Sequence, residues 1–229
     1  MSLHALYANT VADFIQDTCV HSKMKKAQTN RHKISKANNA SLKDSILATK
    51  RLCTSLIAKN PSAKDALILL EIKITNNNQS RDADVLFLGF NKLNRAAAFF
   101  LENKAWSNDF LIKTDEETMR KGYVLTRYHD SDDDDGKRKH PSFQASDYRW
   151  IPTFFDEFSG IEIKAAGFCF NVNSGDSIYK LLYNTCYNDY IKDCRVYTQA
   201  SQGKLVNSLD AVIGKGDGEK VLKKFMDEK

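Results

Sequence analysis

Hydrophobic and polar positions alternate along the chain in patterns that change from segment to segment. Leu3, Leu6, Tyr7, Val11, Phe14 and Ile15 fall near one helical face, so residues 2 to 19 are expected to form an amphipathic helix. From Val20 to Ala40 the apolar periodicity fades into Lys, Asn, Ser and Gln, the composition of a flexible arm or of a polar extension ordered by a partner. A second helix is expected from Ser41, an N-cap residue, with Leu42, Ile46, Leu52, Leu56 and Ile57 on one side and Asn60-Pro61 as its stop.

Beyond it the period shortens. Ala66 to Thr75 and Asp84 to Phe90 read as strands joined across a polar turn, Asn94 to Asn103 as a short helix, and Phe110 to Lys113 and Gly122 to Tyr128 as further strands. Asp130 to Ser142 reads as a charged loop. Phe154-Phe155 and Ile161 to Val172 read as strands, Ser177 to Ile191 as a helix, Arg195 to Thr198 as a last strand, and two helices close the chain around Gly214 to Gly218. This order suits an α+β domain with a mixed, largely antiparallel sheet flanked by helices, carrying an N-terminal helical basic extension. The expected division is residues 1–64, including a basic arm at 20–40, and an α+β core at 65–229, the two forming one folding unit.

Charge alters the picture more than composition does. The net charge is only +5, yet His21 to Lys64 holds eleven Lys and Arg against the single acid Asp44. That segment therefore carries +10 and the remainder −5. Clustered cations replace the counterions condensed on a phosphate backbone, so Lys23, Lys25, Lys26, Arg31, Lys33, Lys36, Lys43, Lys50 and Arg51 are candidate contacts to DNA or RNA. The same cations on a solvated helix face need no ligand. Asp130 and Asp132 to Asp135 form an acidic run that could instead meet the basic segment of another copy in a homo-oligomer.

The five cysteines are odd in number, scattered and never in a C-x-x-C pair, as expected of reduced thiols in a cytoplasmic or nuclear protein. No closely spaced Cys/His pairs suggest structural zinc. No apolar run reaches the roughly 18 to 20 residues of a membrane span, and the first twenty residues do not read as a secretory signal. The Asp130 loop fits no EF-hand register, because the glycine and the terminal acid never fall in place together. Nucleophile-elbow, phosphate-loop and dinucleotide-fold motifs are absent from the sequence.

Two segments suggest chemistry. Asp156, followed by Ile161-Glu162-Ile163-Lys164, resembles the signature of the PD-(D/E)XK nucleases, in which an acid precedes a strand carrying Glu-x-Lys. The resemblance implies Mg2+ held by Asp156 and Glu162, and Lys164 as the catalytic lysine that orients or activates water. The spacing recurs at Asp65, Glu71 and Lys73. There an uninterrupted apolar run would keep the two acids about 20 Å apart on an extended strand, too far to share a metal. Ser159-Gly160 could turn Asp156 back beside Glu162, so the later copy is preferred. The second segment, Gly214-Lys215-Gly216 between the terminal helices, resembles a helix-hairpin-helix, whose backbone N–H groups would bind a DNA phosphate.

Tyr183, Tyr187 and Tyr190 recur at helical spacing as candidate stacking rings or core margin. Three functional readings remain: a non-catalytic nucleic-acid binder acting through its basic segment, a self-assembling interaction protein, and a Mg2+-dependent nuclease.

Overall fold

A computed structural model describes residues 2–28, 36–76, 79–127, 136–154 and 159–227. Its centre is a six-stranded mixed sheet. Strands β1 (Ser2–Thr10), β2 (Leu67–Asn76), β3 (Gln79–Phe90) and β4 (Ala96–Lys104) form an antiparallel meander. β7 (Glu162–Cys169) runs parallel to β4, and β8 (Val196–Thr198) parallel to β7. Between β4 and β7 the chain forms α4 (Glu116–Arg120), a small antiparallel pair β5 (Tyr123–Leu125) and β6 (Lys137–Lys139), then α5 (Pro141–Ser146), a 3-10 turn (Asp147–Trp150) and α6 (Ile151–Phe154). The α+β expectation with a largely antiparallel sheet is met.

Helices cover both faces. On one side α1 (Val11–Gln16), α2 (Val20–Gln28), α3 (Lys36–Lys59) and α9 (Gln202–Ile213) pack Phe14, Met24, Leu52, Leu56 and Leu209 against Ile68, Phe87 and Phe99. On the other, Ala145, Tyr148 and Ile151, with Val221 from α10 (Gly218–Asp227), lie against Leu69, Leu86 and Phe100. A third cluster gathers Trp106, Leu111, Val124 and Cys169 with Ile178 of α7 (Ser177–Leu182) and Tyr187, just before α8 (Asn188–Asp193). Gly167 on β7 permits close approach of α5, because a Cβ there would stand 2.4 Å from Pro141 Cβ.

Several elements differ from expectation. Residues 2–10 form a strand, because the outer edge of β2 offers eight ladder partners that one exposed helix would not replace. Thr10 then caps α1, accepting the Asp13 N–H at 3.1 Å. The first 64 residues are thus no extension: β1 is part of the sheet, and Val20 and Met24, in the segment expected to be an aperiodic arm, are buried. Residues 96–104 form the central strand β4, eight of whose nine residues are buried, as suits a strand covered on both faces. Phe154 belongs to a helical turn, part of the expected charged loop forms β6, and the expected helix at 177–191 breaks where Asn184 caps a new turn through the Cys186 N–H.

Among the described residues no helix is long and apolar enough to cross a membrane. All five cysteines are unpaired.

Candidate functional site

The register of the meander sets three acids in one row. Leu70 pairs with Val85 and Ile72 with Ala83, which places Glu71 opposite Asp84; Val85 pairs with Leu101, which places Asp84 opposite Glu102. Neighbouring strands lie about 4.8 Å apart, and like charges directly opposite destabilise a sheet. Three carboxylates in register are therefore poorly explained by folding alone. Glu71 also has φ +48, a left-handed backbone that a non-glycine residue rarely adopts inside a strand.

Lys104, two residues past Glu102 on β4, answers part of this charge. Its Nζ donates to Glu102 Oε1 at 2.7 Å. Tyr148 donates its hydroxyl to the other oxygen, Oε2, at 2.5 Å. Glu102 itself is 1% exposed. Asp84 Oδ2 accepts the Asn103 N–H at 2.8 Å, and the Asn103 amide binds Ser45 and Thr49 of α3, fixing β4 to the helix behind it.

The electrostatics show the strain of the row. Burial pushes the Asp84 carboxyl well above its usual range, and the negative charge of Glu102 adds to this. Glu71 stays in contact with solvent, yet the protein around it, then Glu102 and Asp82, push its carboxyl up to about 7. Burial works against the Lys104 ammonium, but the attraction of Glu102 and then Asp84 outweighs it and raises its proton affinity, so Lys104 stays charged.

Asp84 and Lys104 line a cleft of about 980 Å³ whose walls include Arg81, Arg138, Lys139 and Tyr148. Ser41, in the second turn of α3, also borders it. Among the described residues no group of three or more His, Cys, Asp or Glu side chains is gathered to hold a metal as it stands. The donors suit Mg2+ in another way: one or two carboxylates completed by water and substrate phosphate, with a mutual repulsion that a divalent cation would relieve. Asp84 and Glu102 would hold it.

The residues expected from sequence fall elsewhere. Asp156 lies outside the described residues. Glu162 accepts the Asn91 side-chain amide at 2.7 Å and sits 3.8 Å from Lys164 Nζ, at a half-exposed surface. Glu71, set aside with its neighbour Lys73 on spacing, belongs to the acid row, while Asp65 lies in a 3-10 turn before β2.

Of the basic segment, Arg31 and Lys33 lie outside the described residues, as does the side chain of Lys36. Lys50 is occupied with structure, donating to the carbonyls of Ile15 at 3.2 Å and Asp17 at 2.5 Å at the end of α1. Lys23 pairs with Asp17 at 2.7 Å. Lys25, Lys26, Lys43 and Arg51 are exposed. The backbone N–H groups of Gly214, Lys215 and Gly216 donate to the carbonyls of Asp210, Phe90 and Ile213, so they tie the turn to β3 and α9 instead of pointing outward. The hydroxyls of Tyr183, Tyr187 and Tyr190 all donate to backbone carbonyls. The Asp130 to Asp135 run is outside the described residues.

No family model, curated protein or solved structure matches the chain.

Proposed function

We propose that the chain is a divalent-cation-dependent nuclease that hydrolyses phosphodiester bonds, with Asp84, Glu102 and Lys104 in the roles that the PD-(D/E)XK pattern gives its acid, its Glu and its Lys. One observation carries the reading: an acid on β3 stands in register with the Glu of a Glu-x-Lys on β4, beside a cleft lined by both cations (Arg81, Lys104, Arg138, Lys139) and acids (Asp82, Asp84, Asp147). The meander followed by a parallel strand, with helices on both faces, holds these residues on the two central strands, Glu102 and Lys104 at the C-terminal end of β4.

A divalent cation at Asp84 and Glu102 would neutralise phosphate charge and lower the pKa of a coordinated water. The protein's own contribution is positional. Lys104 remains protonated, and its ammonium can orient the attacking water or donate to the phosphate oxygen that gains charge. Water oxygen bonds to phosphorus, the ester P–O bond breaks, and the leaving oxygen takes up a proton. Arg81, Arg138 and Lys139, the last paired with Asp147 at 2.6 Å, line the cleft and would contact flanking phosphates, whereas the described residues of the basic segment border the cleft only at Ser41.

Purified protein incubated with DNA and RNA in Mg2+ or Mn2+ should cleave at least one of them, and chelation should stop it. Glu102→Gln and Lys104→Ala should each lower kcat by about a hundredfold or more, in the range of lost transition-state donors. Cleavage that survives Glu102→Gln, or that occurs with neither metal, rejects the reading.

A further inference from the structure

We infer that Tyr148 is a positioning residue for this reaction, holding the Glu102 carboxylate in its working orientation. The inference rests on the nuclease reading and extends it to a residue whose type no nuclease motif requires. Tyr148 comes from the 3-10 turn after α5, about forty-six residues from Glu102 in sequence, and is itself 2% exposed. Its ring stacks on Phe100, centroids 5.1 Å apart at 25°, two residues before Glu102 on the same face of β4. This stack aims the hydroxyl at Oε2. The Asp82 carbonyl is also within reach, at 3.2 Å, but a phenol has one hydrogen and the 2.5 Å contact to a carboxylate is the stronger claim on it.

The arrangement divides the work at Glu102. Lys104 occupies Oε1 and Tyr148 occupies Oε2, so a side chain with three torsions is fixed from both ends of its carboxylate. Without the phenol, Lys104 would be the one remaining side-chain partner of the carboxylate, which could then rotate to offer Lys104 both oxygens and leave Asp84 to hold a cation alone. Partners that orient a ligating carboxylate typically matter by about 10- to 100-fold in metal affinity or activity.

Tyr148→Phe keeps the ring and its stack and removes only the hydrogen bond. The expected result with a DNA substrate is a kcat lower by about 10- to 100-fold, a Mg2+ concentration for half-maximal rate raised severalfold, and a KM for DNA within about twofold of wild type. A structural role would not separate KM from metal dependence in this way. Mn2+ binding followed by calorimetry provides a second readout: Tyr148→Phe should weaken it in the wild-type background but add nothing to Glu102→Gln, because the two residues act as a unit. An active wild type beside a Tyr148→Phe variant of unchanged kcat and Mg2+ midpoint removes this role alone. A wild type that neither cleaves nor takes up metal removes the nuclease reading and this role together.

Discussion

Two Glu-x-Lys patterns stand on adjacent parallel strands, Glu102-Asn103-Lys104 on β4 and Glu162-Ile163-Lys164 on β7, and they share nothing but spacing. Glu162 pairs in register with Ala97 and Glu102 with Gly167, so the two patterns are offset by five residues, about 16 Å along the strands. On β4 the pair closes at 2.7 Å with side chains 2% and 19% exposed. On β7 it stands at 3.8 Å with side chains 35% and 57% exposed. Opposite Glu102 lies an acid; beside Glu162 lies the amide of Asn91. The difference teaches that a short motif acquires chemistry from its cross-strand neighbours and burial.

The comparison can be broken most directly by stability. Glu102→Ala strips a half-buried ammonium and a buried phenol of their shared partner and should destabilise the protein by about 3 kcal/mol, the low end of the cost of breaking a buried pair. Glu162→Ala removes a surface pair and should cost about 0–1 kcal/mol. Urea unfolding of the two variants checks this, and equal losses would erase the distinction between the strands.

The next effect is in pH. Glu71 has a folded-state proton affinity above that of the unfolded chain, so its stabilising protonation is present below about pH 4 and is lost as pH rises toward 7, and the raised proton affinity of Asp84 acts in the same direction. His140 acts in the opposite direction. It is buried, with Nε2 against the Leu182 carbonyl and Tyr187 stacked on its ring, and burial lowers its pKa to about 3. The unfolded chain takes up that proton near pH 6.5, so stability falls below this value, by up to about 1.4 kcal/mol per pH unit. Thermal melts of the metal-free protein should therefore pass through a maximum between these limits, and saturating Mg2+ should flatten the alkaline side only. No change on adding Mg2+ would count against the acid row as a cation site.

The smallest effect sharpens the reading of the row itself. Asp84→Asn keeps an acceptor for the Asn103 N–H but removes one of three opposed charges. It should stabilise the metal-free protein by up to about 1 kcal/mol while abolishing cleavage. A variant both less stable and fully active would show that Asp84 is there for the fold.

Much of the architecture is legible in the sequence, and the site is not, for one physical reason. The α+β order, the β2–β3 hairpin, the Asn60-Pro61 stop and the pair of terminal helices follow from local period and turn chemistry. Ala96-Ala97-Ala98 favours a helix in isolation, and only burial between two helical layers makes residues 96–104 a strand. Reading that segment as a helix concealed the Glu-x-Lys on it. Glu71, Asp84 and Glu102 then meet through the register of three strands, which no local pattern encodes. Glu-x-Lys occurs on three strands of this sheet, and the copies on β2 and β4 both follow runs buried on both faces, so the local pattern separates them from the copy on β7 but not from each other.

Gly167 carries no functional group, yet it controls how the site is assembled. The row of positions that runs through Glu71, Asp84 and Glu102 passes next through this glycine before reaching Val196 of β8, and the missing methyl lets Pro141 settle against β7. Pro141 opens the helix that delivers Tyr148, so the spacing at Gly167 works as a fulcrum: lifting one end of α5 by the width of a methyl group would tilt the phenol at the other end away from Glu102. Sensitivity of the site to substitution thus extends to a residue defined by what it lacks.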